Sequence, residues 1–459
     1  MALVLSGTSR VNSEMNKRIE TDRQGEAASG KTEQSEKYGA AFIIIAIYFF
    51  FEYVRPQDAF IGALAILKIP MFMSIALFIY LMKSDKSALN EKLVFLVLLF
   101  LLEISVSVVF ARNSHYVFMA FKGMTLMIIV SLAMPLAIQT MSKYIAFVKY
   151  WILINVALAY HVITHGGRGP GGFTWDENDV ALTLVMVIPL TIAMIYFKGA
   201  EKNKKIIYMI ATAILTFAVM ASMSRGGFLG LASIPFAYWL WSKDKMKNLA
   251  KLALIAVLFS YPVYQLTPEE YKEEILSITD TEDDTRNTRL EFWGLAWDMY
   301  LDNPVIGVGA RNYPWNVATY QLMRKDRDPD GKLLGGREVH SLYFSLLAEL
   351  GTVGTVLYIM IVLQLIKKLL FIVRLGESKP EYYNMGLIAK ALLISLVSFL
   401  ISGGFISVLY YPPFWYLFGF VLTMHLIVES ELKSDAQAEG SGQKKEKPPA
   451  RKSSVYENY

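Results

Sequence analysis

The sequence contains no cysteine. That excludes a disulfide framework, a thiolate nucleophile and any cysteine-based metal site. Charge is sparse too: charged residues make up 19% of the 459 residues, against 54% hydrophobic. A soluble domain of this size carries more charge and less apolar surface. Histidine is scarce, with only His115, His161, His165, His340 and His425. None of them shares with aspartate or glutamate the close spacing of a zinc motif, so no metal and no cofactor are expected. The acidic run Glu282-Asp283-Asp284 could bind a divalent cation but reads rather as a solvated loop. The net charge of +5 comes from lysines grouped in a few loops, so no nucleic-acid partner is implied.

What fills the chain instead is apolar sequence in long runs. A helix crosses a hydrocarbon core with about 20 residues, and only helices or closed barrels can cross. The runs lack period-two alternation, which selects helices. We read about twelve spans: 38–54, 59–82, 93–110, 116–138, 147–164, 179–197, 206–222, 227–241, 252–266, 340–366, 386–408 and 411–429. The second is interrupted at Lys68-Ile69-Pro70 and divides into two half-helices. Residues 1–37 and 430–459 are polar and read as disordered tails. The first long apolar run begins only near Tyr38, so no cleavable signal is expected. This partition is 1–37, a tail; 38–266, nine spans; 267–339, one large polar segment; 340–429, three spans; and 430–459, a tail.

Lysine sets the expected orientation. Lys83, Lys86 and Lys92 fall in one loop, Lys143 and Lys149 in the next on that side. Lys198 to Lys205, Lys243 to Lys251, and Lys367, Lys368 and Lys379 follow. With twelve spans these loops and both tails share the cytoplasmic side. The segment 267–339 then faces the periplasm.

The opposite side has almost no lysine in its short loops, but it does carry arginines: Arg55, Arg112, Arg168 and Arg225, with Arg286, Arg289 and Arg311 in the large segment. Arginine suits a phosphate because its planar fork donates two parallel hydrogen bonds and stays charged in a partly dry site. The other reading is that each one snorkels to lipid phosphates.

Four stretches carry candidate chemistry. Ser224-Arg225-Gly226-Gly227 opens a helix, where free amides and the helix N-terminus can hold a phosphate; it is equally a tight turn between helices. Residues 287–301 read as a helix lying on the membrane, with Leu290, Trp293, Trp297 and Tyr300 as its apolar stripe. Asn303-Pro304 stops it, and Gly307-Val308-Gly309 reads as a flexible turn. His340 opens a span beside the large segment and can take a proton from a hydroxyl, or simply cap the helix. The glycine-rich loop 166–178, with Arg168, Trp175 and Asn178, either contacts sugars or is a plain connector.

MSRGGFLGL, then RLEFWGLAWDMYLDNPVIGVGARNY, then HSLYFSLLAELGTVG resembles the O-antigen ligase-related superfamily of ligases, polymerases and protein O-oligosaccharyltransferases. The resemblance covers roughly 210–365. GGFTWDENDVAL is similar to that family's glycine-then-asparagine loop. FFEYVRPQ is similar to a subgroup of O-glycosylation ligases associated with exopolysaccharide or exosortase loci. The resemblance implies an all-α, GT-C-like polytopic enzyme that needs no metal. It implies a glycan donor on undecaprenyl diphosphate, used at the periplasmic face of the bacterial inner membrane in lipopolysaccharide or related polysaccharide synthesis. It makes Arg225 and Arg289 the diphosphate ligands and His340 the base, with Arg286 an alternative to Arg289. Arg55, Arg168, Asn178, Arg286 and Arg311 are candidate substrate-binding residues. The acceptor is a glycolipid, a glycan or a protein.

Two other readings stay open. A polymerase of the same superfamily extends a second lipid-linked repeat. A transporter of the lipid-linked glycan belongs to another class. A transporter tends to show repeated halves and charges near the membrane midplane. No repeat is evident here, and Glu103 is one of few mid-span charges.

Overall fold

In a chain this apolar the backbone must satisfy its own hydrogen bonds, and helices do so within one segment. The computed structural model describes residues 39–242, 244–247, 284–324 and 333–440, and among them no strand occurs. The helices in chain order are α1 (Ala40–Tyr53), α2 (Ile69–Lys83), α3 (Lys92–Val106), α4 (Ser114–Ala137), α5 (Met141–Thr164), α6 (Glu177–Ile195), α7 (Lys202–Ala221) and α8 (Arg225–Leu240). After these come α9 (Asp284–Asp302), α10 (Tyr313–Met323), α11 (Leu342–Ser378), α12 (Tyr383–Gly403) and α13 (Pro412–Gly440).

Among the described residues 10 helical stretches are long and apolar enough to cross a membrane. They correspond to α1–α7 and α11–α13, and they make this an all-α, multi-pass membrane protein. Of the two other expected spans, α8 has only 16 residues, short of the length that crosses unaided. The span expected at 252–266 and the tail 1–37 lie outside the described residues. The tail expected at 430–459 is helical in its first part, where α13 continues to Gly440, and its remainder, 441–459, also lies outside the described residues. The break expected near Lys68 is present: a 3-10 helix, Gly62–Leu67, ends at Lys68, whose φ is 43°, and α2 begins after it with Pro70 in its first turn.

The middle of the bundle is α6. Every residue from Val180 to Leu190 is buried, as expected of a helix apolar on all sides. It packs against α7, α8 and α12, while α11 packs against α3, α9 and α12. An aromatic layer joins α1, α5 and α13, where Trp151 stacks on Phe420 with centroids 4.4 Å apart and Phe49 meets Tyr416 at 4.8 Å. By contrast α2 leaves Phe72, Phe78 and Met82 exposed, the pattern of a helix facing lipid.

A second, smaller core lies at one end of the bundle. Phe292, Leu295, Ala296 and Met299 of α9 pack with Val308, Tyr313, Val317, Val339 and Ala348. These α9 positions fall at i, i+3, i+4 and i+7, one helical face. The stripe read from sequence lies on another face: Leu290 and Trp297 are exposed, while Trp293 stacks on Phe344 at 5.4 Å. Tertiary packing chose Phe292 and Met299 because α10 and the start of α11 offer a partner there. The helix α10 had no counterpart in the sequence reading, which ran from Asn303 to Val339 as loop.

Candidate functional site

At the end of the bundle that carries this second core, the starts of α6 and α11, the segment before α13 and the loop before α10 enclose a cavity of about 200 Å³. Asp176, Asn178 and Asp179 come from the start of α6; Arg311 from the loop; Glu338, His340, Ser345 and Glu349 from α11 and its approach; and Ser407, Tyr410 and Tyr411 from the turn between α12 and α13.

The wall is built by a break in α11. Gly351 takes φ 60°, ψ −157°, a left-handed region that only glycine enters easily. A Cβ there would lie 2.5 Å from the carbonyl oxygen of Val305. The break exposes backbone groups that the loop 304–313 uses. Val308 N donates to Ala348 O at 2.9 Å, Gly309 N to Glu349 O at 3.0 Å, and Thr352 N to Pro304 O at 2.8 Å. Gly307-Val308-Gly309 is therefore a docked strap, where the sequence suggested a flexible turn. Its φ values of 67° and 97° at Gly307 and Gly309 set its path.

Glu349 completes the wall. Its carboxylate accepts Arg311 N at 2.9 Å, Tyr313 N at 3.2 Å and the Tyr410 hydroxyl at 2.8 Å. A carboxylate 3% exposed needs such partners, because an unpaired buried charge is costly. The bonds fix the backbone of Arg311, whose guanidinium carbon lies 5.9 Å from the Tyr410 ring centroid.

The start of α8 is tied through its cap to Asn178, one of the residues that line the cavity. Ser224 Oγ accepts Gly227 N at 3.0 Å and donates to Asn178 Oδ1 at 2.7 Å. Asn178 in turn donates from its backbone N at 2.8 Å and from Nδ2 at 3.0 Å to Asp176 Oδ1. Asn178 is thus held on both sides of its amide. The glycines of the Ser-Arg-Gly-Gly motif differ from the sequence expectation of amides left open for a phosphate. The Gly227 amide is engaged by Ser224, and a Cβ at Gly227 would lie 2.5 Å from Ala181 Cβ. Close helix packing explains the glycines, and Arg225, half-buried at the first turn of α8, carries whatever charge the motif supplies.

His340 sits just before α11 with φ 52°. Its N–H donates to Ser407 Oγ at 2.8 Å, and its ring lies 6.0 Å from that of Phe292. Ser341 is the residue that precedes the helix, so His340 does not cap it. Burial lowers its pKa below the ordinary imidazole value, Arg289 and Arg337 lower it further, and Asp176 acts in the opposite direction. The ring is therefore neutral at pH 7 and able to accept a proton. Arg311, His340 and Met223, the residue before Ser224, are three of the five non-glycine residues with positive φ among the described residues. Strained backbone of this kind collects at functional sites.

The remaining arginines are placed elsewhere. Arg55 Nε pairs with Asp58 at 2.5 Å and its guanidinium packs on Gly172. Arg168 Nε pairs with Glu177 at 2.6 Å. Arg112 donates to Thr319 Oγ1 at 2.5 Å. None of the three lines the cavity. Arg289 is half-buried on α9 and acts on His340 through its charge. Arg286 lies near the start of α9, where its side chain is outside the described residues.

Sequence reasoning missed Asp179, Glu338, Glu349, Tyr410 and Tyr411. Tyr411 donates a very short hydrogen bond to Asp179, which is 8% exposed. The signal was present: Asp179 and Glu349 are acidic residues inside otherwise apolar helix sequence. Sequence spacing also missed one group of possible metal ligands. Glu91, His425 and Glu429 have ligand atoms within 4.8 Å of one another, far along α11 and α13 from the cavity. Lys368 Nζ already lies 2.7 Å from Glu91 Oε2. That ammonium supplies the counter-charge a cation would bring, and the group braces α3, α11 and α13.

A helical membrane bundle with a polar, histidine-bearing cavity under a small cap at one end is the class that fold and site define. Residues 210–359 match the family model described as O-antigen ligase. The match runs from within α7 into α11, takes in Ser224-Arg225, α9 and His340, and supports membership of the O-antigen ligase-related superfamily. The match supports a membrane function of the O-antigen ligase or polymerase type. No curated protein matches the chain.

Proposed function

We propose that the protein transfers a glycan from undecaprenyl diphosphate to an acceptor hydroxyl at the periplasmic face of the inner membrane, without a metal ion. The observation that carries this reading is a half-buried His340, its pKa lowered by burial, on the wall of a cavity whose lining residue Asn178 is bonded to Ser224 at the start of α8.

The reaction needs little from the protein beyond placement and charge. The acceptor oxygen attacks the anomeric carbon, the bond from that carbon to the phosphate oxygen breaks, and the electron pair leaves with the diphosphate. The acceptor proton passes to His340. Arg225 and Arg289 hold the leaving diphosphate; one guanidinium at about 4 Å gives about 4 kcal/mol gross at an effective dielectric near 20. That charge stands in for the divalent ion other glycosyltransferases use. Release of undecaprenyl diphosphate and return of the proton to water complete the cycle. A growing polysaccharide as acceptor makes the same chemistry a polymerase.

The test is turnover and donor binding in purified protein with defined lipid-linked donor and EDTA present. Transfer should persist in EDTA. His340→Ala should bind donor nearly normally yet lose roughly 10²–10⁴-fold in rate, the usual cost of a missing general base. Arg225→Ala should lose donor affinity, and Arg225→Lys should be impaired less. Loss of donor binding in His340→Ala with unchanged turnover at saturation would remove the histidine from its role.

A further inference from the structure

The cavity beside His340 is acidic. Asp176, Asp179, Glu338 and Glu349 line it against the single guanidinium of Arg311. Glu349 is occupied by its three donors, and Asp179 by Tyr411. Asp176 and Glu338 remain exposed. Arg225 and Arg289, the arginines assigned to the diphosphate, do not line this space.

A diphosphate is a poor occupant of such a cavity, because like charges a few ångströms apart repel each other. Carboxylate oxygens only accept hydrogen bonds. Their partner must donate, as a hydroxyl or an ammonium does. Tyr410 and Tyr411 add ring surface suited to the apolar face of a sugar. A volume of about 200 Å³ is that of roughly seven liquid waters, so only a terminal group enters while the rest of the molecule stays outside.

We infer that this cavity is the acceptor subsite, and that it takes an uncharged or amine-bearing hydroxyl acceptor, a terminal sugar or polyol, while rejecting phosphorylated and acidic ones. Selection works by repulsion as much as by attraction. The inference rests on the proposed glycan transfer for the word acceptor, but the binding preference needs no donor.

Saturation-transfer NMR on the full chain in nanodiscs, in EDTA, reads that preference directly. The probes are methyl glucoside, methyl glucosaminide and methyl glucoside 6-phosphate. The first two should bind, and the phosphate should bind on the order of tenfold more weakly or worse. The double variant Asp176→Asn with Glu338→Gln should bring the phosphate to within about threefold of the neutral glycoside. Asparagine and glutamine keep an acceptor oxygen, so the α6 cap survives. Equal or tighter phosphate binding in the native protein overturns the inference. So does an unchanged ratio in the variant, or no binding of any glycoside. Phosphate binding that appears only when excess magnesium replaces the EDTA would make the cavity a cation site and overturn it too. A failed transfer assay with this preference intact would refute the proposed function alone.

Discussion

The Ser224 hydroxyl donates to Asn178 Oδ1 across 2.7 Å, although 46 residues separate the two in sequence. The bond ties the start of α8, with Arg225, to the start of α6, which borders the cavity. Asn178→Ala removes this tether but leaves the Ser224 cap on Gly227. It should weaken donor binding several-fold with little change in thermal midpoint. Ser224→Ala removes tether and cap together and should cost roughly 1–3 kcal/mol of stability as well. Donor titrations and thermal unfolding of both variants separate the effects. If Asn178→Ala alters acceptor use and leaves donor binding intact, Asn178 touches substrate and is not a tether.

Glu349 is the anchor of the docked strap. Glu349→Ala leaves the Arg311 and Tyr313 amides unpaired and should cost roughly 2–4 kcal/mol. Glu349→Gln keeps an acceptor oxygen and should cost less. Tyr410→Phe removes one bond of three, about 1 kcal/mol. Thermal unfolding in nanodiscs should rank them in that order. A Tyr410→Phe variant as unstable as Glu349→Ala would contradict this account of the wall.

The pH profile of transfer should report His340. The base must be neutral, and burial with Arg289 and Arg337 nearby lowers its pKa from 6.5. Activity should therefore fall as pH drops through a value below 6.5, and should not change through this group above it. Arg289→Ala removes a cation that disfavours protonation, so the acidic limb should move to higher pH. Asp176→Asn removes an anion that favours it, so the limb should move lower. Limbs that stay fixed in both variants would assign the titration to another group.

Lysine asymmetry predicts that the segment 267–339 lies outside and the lysine loops inside. An alkaline phosphatase reporter fused after Asp302 should be active, and one fused after Lys245 inactive. The reverse result would place the cavity on the cytoplasmic side and end the proposed mechanism.

Much of this protein was legible without coordinates. Apolar runs of spanning length located α1 to α7 and α11 to α13, because lipid leaves the backbone no other option. Pro70 marked the break before α2. Motif order pointed to His340, which lines the cavity, and to Arg225 and Arg289, which do not. The face of α9 that packs on the protein was not legible, since Leu290 and Trp297 look as apolar as Phe292 and Met299, and only the position of α10 decides between them.

Sequence by itself determined the class: apolar helices long enough to cross a membrane, and one polar segment beside a histidine. Those properties follow from local composition and period, which a linear chain displays. Only the tertiary structure decided which residues share a site. Asp179 meets Tyr411 from 232 positions away, and Glu349 gains its partners only because Gly351 breaks α11 and lets the strap dock. Each of those contacts depends on two elements brought together by packing, and packing leaves no periodic trace in either element alone.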